Sequence, residues 1–129
     1  MKAIFILCGF YQIAFAVFHL YFPKIFNWKK DLQNLSAANK AITQILNNRL
    51  IYFFLFTGIM YFVFDEQILR SKLGIFIHIG MLVFWIGRTI EQFIYLKLNN
   101  RFVHTLSTIF ILGIILFSIP IIHLLFPNT

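Results

Sequence analysis

Apolar residues fill four long runs of this chain, and short polar stretches separate them. The runs cover residues 3–22, 50–64, 73–98 and 102–126, each dominated by Ile, Phe, Leu and Val. A helix rises ~1.5 Å per residue, so about 20 apolar residues match the ~30 Å hydrocarbon core of a bilayer. The second run, Leu50 to Phe64, has 15 residues, and its roughly 22 Å of helix falls short of that thickness. Asn47, Asn48 and Arg49 are therefore drawn in, with Arg49 snorkelling to the interface. The pattern predicts spans at approximately 3–22, 48–64, 73–96 and 102–126. Between the first two, Leu32, Leu35, Ala38, Ile42 and Ile45 recur at helical spacing among Gln, Asn and Lys. That predicts an interfacial amphipathic helix over approximately 31–46. The expected fold is all-α: an integral membrane four-helix bundle with an additional amphipathic helix in the first loop, forming a single transmembrane domain over 1–129.

The third run departs from pure hydrophobicity in an ordered way. Gly74, His78, Met81, Trp85, Arg88, Gln92 and Tyr95 fall on one helical face, while the positions between them are mostly Ile, Phe, Leu and Val. In lipid the small and polar face points inward. A charge at the bilayer centre costs ~2.5–3.5 kcal/mol even on the lenient insertion scales, which makes Arg88 and Glu91 a functional-site hypothesis. Glu91, three residues after Arg88, is its expected partner along the helix. On the first run Gly9, Gln12, Ala16 and His19 share a small and polar face suited to close helix packing. Ala14-Phe15-Ala16 imitates a signal-cleavage site, but the apolar run continues to Phe22 and predicts a retained span. Pro120 predicts a kink in the last span.

Composition agrees with this pattern: 60 % of the 129 residues are hydrophobic and 12 % charged, against about 25 % charged in soluble domains. A single Cys8 leaves no internal disulfide, and its apolar setting favours packing over reactivity. The net charge of +7 comes from lysines and arginines at the ends of the runs, which points to anionic lipid headgroups rather than nucleic acid. Trp28, Lys29 and Lys30 form an interfacial anchor after Pro23. With four spans, Lys24, Lys29, Lys30, Lys40, Arg49, Lys97 and Arg101 lie on the side of the two loops, whereas Lys2, Arg70 and Lys72 lie on the side of the termini. The positive-inside rule then puts both termini outside the cytoplasm.

That topology gathers polar residues from all four spans in the cytoplasmic half of the bundle: His19, Asn48, Arg49, Arg88, Glu91, Gln92 and His104. His78 and His123 fall near the outer ends, where a histidine edge reaches water. Three functions compete. The cluster can be architectural, in a small accessory or structural subunit that docks a larger membrane complex. It can bind a quinone, a lipid headgroup or an anion, with Arg88 as a bidentate donor. It can hold a b-type haem, which comes last because His104 and His123 are ~28 Å apart along one helix and the histidine pairs sit near the interfaces. No nucleophile and base pair, metal-ligand set or phosphate loop stands out, so no catalytic residue is assigned.

His19, Phe22-Pro23, Phe26, Trp28, Leu32, Leu35, Asn39 and Ile42, followed by Trp85, Arg88 and Gln92, resemble a family of small uncharacterised four-helix bacterial inner-membrane proteins. The resemblance spans about three quarters of the chain. It implies that the first loop and the third helix are read together, and it brings no known activity.

Overall fold

In the computed structural model, residues 1–127 are described, and among them every regular element is helical. The elements are α1 (Lys2–Leu20), α2 (Phe22–Ile25), α3 (Trp28–Asp31), a 3-10 turn (Leu32–Asn34), α4 (Ala37–Val63), α5 (Lys72–Tyr95) and α6 (Arg101–Leu125). Four of them, α1, α4, α5 and α6, are long and apolar enough to cross a membrane. The chain divides into two compact units, Met1–Cys8 with Phe64–Thr129, and Gly9–Val63.

The unit Gly9–Val63 pairs the body of α1 with α4. Small residues let the two backbones approach: a Cβ on Gly58 would lie 2.7 Å from Ile13 Cδ1 and 3.2 Å from the Gly9 carbonyl oxygen. Gln12, Phe15 and Ala16 on α1 are buried with Phe54, Thr57 and Tyr61 on α4. Sequence reading divides the stretch from residue 31 into an interfacial helix ending near 46 and a span starting at 48. The structure differs: α4 runs unbroken from Ala37 to Val63. The physical reason is the absence of any proline between those ends, while Asn47, Asn48 and Arg49 are tolerated in a helix interior. Ser36 accepts the Asn39 N–H and caps the start of α4. What remains of the connection is α2, α3 and the 3-10 turn, with Asn27 in the left-handed region at φ 49°, which asparagine tolerates better than most residues.

In the other unit α5 and α6 pack side by side. Each starts at a side-chain cap: Ser71 accepts the Gly74 N–H at 2.9 Å, and Asn100 accepts the Val103 N–H at 2.8 Å. Trp85 is fully buried on α5, with its ring 5.9 Å from Phe110 and 6.4 Å from Phe117 on α6. Hydroxyls that would otherwise be stranded among apolar groups bond back to their own helices: Thr89 to the Trp85 carbonyl, Ser107 to Val103, Ser118 to Ile114.

The turn at residues 64–71 folds onto the start of α5 so closely that a Cβ on Gly74 would meet the Ile68 carbonyl oxygen, with Ile68 Cα at 2.7 Å. Backbone atoms cannot swing aside, unlike the exposed Phe62 ring that a Cβ on Gly9 would meet. Gly74→Ala is therefore expected to destabilise by about 1–3 kcal/mol, and Gly9→Ala by much less. Thermal unfolding of the two detergent-purified variants checks the order; equal losses would mean that the 64–71 turn yields freely.

Candidate functional site

The seven polar residues expected to cluster divide between the two units: His19, Asn48 and Arg49 fall in one, and Arg88, Glu91, Gln92 and His104 in the other.

In the first, His19 forms a reciprocal pair with the residue beside the expected one. Its Nδ1 lies 2.9 Å from Asn47 Oδ1, and Asn47 Nδ2 donates to the His19 backbone carbonyl at 3.0 Å. Because the amide nitrogen is engaged by that carbonyl, Oδ1 faces the ring, and Nδ1–H is the donor to it. The ring also stacks on Phe22 at 4.0 Å and lies 5.3 Å from Phe54. Asn48 and Arg49 are exposed, with the Arg49 guanidinium 5.7 Å from the Tyr52 ring. The signal for Asn47 lies in the helical phase: Tyr61, Gly58, Phe54, Ile51 and Asn47 step by three and four along one face, whereas Asn48 is one position round. Two to three turns deeper, Gln12 Nε2 donates to Thr57 Oγ1 at 3.0 Å, a second polar bond between α1 and α4. Trp28 is half-buried with its ring 6.3 Å from Phe22, and Lys29 and Lys30 are exposed, side by side on α3.

In the second unit Arg88 is half-buried, with its guanidinium 4.6 Å from the Phe110 ring centre, a cation–π arrangement. Its expected pairing with Glu91 does not form: among the described residues the ion pair is Lys2 with Asp65, and Glu91 is exposed. Three residues along a helix turn a side chain about 300°, and here that rotation leads Glu91 out of the α5–α6 contact while Arg88 stays over Phe110. Gln92, one turn beyond Arg88, is 1 % exposed, and neither its amide nitrogen nor its amide oxygen has a hydrogen-bond partner among the described residues. His104 is exposed and bonds Asn99 Oδ1 through Nε2 at 2.7 Å.

His78, expected at a wet interface, is fully buried. Its Nε2 bonds the Phe117 carbonyl at 2.9 Å, and its ring stacks on Phe117 and meets Phe5 edge-on. Phe117 lies three residues before Pro120 and next to Leu116, whose carbonyl loses its helical donor at the proline. His123 is exposed. Nε2 of His78 is taken by a backbone carbonyl and Nε2 of His104 by an amide oxygen, and no group of three His, Cys, Asp or Glu able to hold a metal occurs among the described residues.

Compared with protein-family models, with curated proteins and with solved structures, the chain matches none.

Asn47→Ala should destabilise the chain by about 1 kcal/mol, since it removes two hydrogen bonds at once from an apolar setting. Asn48→Ala should stay within about 0.5 kcal/mol. Parallel SDS-unfolding titrations check both; a larger loss from Asn48 would place the partner of His19 wrongly.

Proposed function

We propose that this chain is a small multi-pass protein of the bacterial cytoplasmic (inner) membrane, a four-helix bundle that serves as an accessory or structural subunit of a larger membrane complex. The observation that supports this most directly is how the buried polar side chains are used. His19 with Asn47, Gln12 with Thr57, His78 with the Phe117 carbonyl, and the Ser and Thr hydroxyls with their own helices all serve packing. Meanwhile large apolar side chains stand exposed along all four long helices, among them Phe10, Phe56, Phe76 and Leu112. Such a surface suits acyl chains and the apolar flank of a partner. On the positive-inside count both termini face out of the cytoplasm, and residues 21–36 lie inside with Trp28, Lys29 and Lys30 at the headgroups.

Two measurements test this reading. In a Cys8→Ser background, a cysteine at Gln67 should react with a membrane-impermeant thiol reagent in intact cells and one at Lys30 should not; the reverse labelling overturns the orientation. After mild solubilisation, the chain should migrate with a stoichiometric larger assembly; a monodisperse species of the chain alone overturns the accessory role.

A second reading is favoured by one feature, the buried Gln92 amide beside Arg88. An amide offers both a donor and an acceptor, as a quinone or quinol requires, and Arg88 offers charge to an anion. Gln92→Leu separates the readings: with no ligand it is neutral or stabilising, because it removes a buried polar group without a partner, whereas a ligand site loses its copurifying small molecule.

A further inference from the structure

The unit that holds α5 and α6 contains a cavity of about 270 Å³ lined by Met1, Lys2, Phe5, Asp65, Glu66, Leu69 and Arg70. We propose that it binds the zwitterionic phosphoethanolamine headgroup of a membrane lipid. The inference rests on the reading of the chain as membrane-embedded, and it names a partner that this reading leaves open.

Charge arrangement carries the proposal. The Lys2 ammonium, the Arg70 guanidinium and the Met1 α-amino group line the cavity together with the Asp65 and Glu66 carboxylates, so groups of both signs stand around one space. Asp65 is held in place, with Oδ1 accepting the Glu66 N–H at 2.9 Å and Oδ2 lying 3.8 Å from Lys2 Nζ. That contact is long for a charge-assisted bond, which has its optimum near ~2.8 Å, so the Lys2 ammonium keeps donors to spend. Glu66 and Arg70 are exposed, and among the described residues neither side chain makes an ion pair. The cavity thus offers a carboxylate and a guanidinium that no neighbour neutralises. A simple anion would satisfy Arg70 and Lys2 but be repelled by Glu66 and Asp65. A phosphate tethered to a primary ammonium satisfies both sets: the phosphate meets Arg70 and Lys2, and the ammonium donates to Glu66.

Place and size agree with this ligand. The cavity lies where two apolar helices begin, α1 at Lys2 and α5 at Lys72, which is headgroup level if both cross the bilayer. Phe5 and Leu69 give it an apolar wall against which the glycerol and upper acyl carbons of a lipid can rest. Its volume lies just under the roughly 300–1,000 Å³ of whole small-molecule pockets, suited to a headgroup.

The test uses the full chain, purified from carbonate-washed membranes, delipidated in detergent and melted with added dioleoyl phosphatidylethanolamine, phosphatidylcholine or phosphatidylglycerol. The ethanolamine lipid should raise Tm by several degrees. The choline lipid, whose methylated ammonium has no N–H to donate, and the anionic glycerol lipid should raise it much less. The double variant E66Q/R70Q, altered only at exposed side chains, should keep the lipid-free Tm and lose the ethanolamine preference. Glu66→Lys, which replaces the unpaired carboxylate by a cation, should shift preference to phosphatidylglycerol. Equal shifts from all three lipids, or an ethanolamine preference that survives in E66Q/R70Q, would overturn the proposal. An equal shift from water-soluble phosphoethanolamine would overturn the lipid as its source. Failure of the membrane reading is separate, since it would appear earlier as a chain that carbonate washes off.

Discussion

A polar side chain among apolar helices has no water to fall back on, and the structure meets that constraint with bonds from one helix to another. Gln12 reaches Thr57 and His19 reaches Asn47, so α1 and α4 are joined twice, about two turns apart along α1. Two glycines make the reach possible. With Gly9 and Gly58 at the crossing, the backbones come close enough for short side chains such as Thr and Asn to bond across the gap. Apolar contact alone distinguishes poorly between a neighbouring helix and lipid, whereas a hydrogen bond of this kind fixes register.

The α5–α6 pair meets the same constraint through the backbone. A proline in α6 disturbs the helix, and a buried histidine from α5 bonds a carbonyl in the turn before it. The histidine ring is then enclosed by Phe117 and Phe5, and two turns further along α5 Trp85 packs towards Phe110. Arg88 follows on the same stripe and rests on the Phe110 face. Its long aliphatic stem makes that half-buried position tolerable, since such a stem covers apolar surface while the charged head settles elsewhere.

Much of this was legible from residue order. Four apolar runs of helical period predicted the four long helices, and the stripe from His78 through Met81 and Trp85 to Gln92 is the buried face of α5. The small polar stripe of α1, Gly9, Gln12 and Ala16, is buried too. What sequence reading missed was finer. The amphipathic segment and the second apolar run make one helix, because a change in polarity is not a break unless a residue ends the hydrogen-bond ladder. Asn47 and Asn48 are adjacent and chemically identical, and only the phase of the whole helix tells which is inside. Arg88 and Glu91 stand at a spacing that permits pairing, yet i, i+3 proximity does not oblige it, and the guanidinium rests over the Phe110 ring. The Lys2–Asp65 contact joins residues 63 positions apart in sequence, beyond the range of any local pattern.

The central claim is that polar bonds across the α1–α4 crossing are structural and coupled. A double-mutant cycle on His19 and Asn47 tests it most directly, with His19→Phe, Asn47→Leu and the double variant unfolded alongside the parent chain. The account predicts a favourable coupling of about 0.5–1.7 kcal/mol, the range seen for hydrogen bonds between membrane helices. Additive losses, with no coupling, would contradict it.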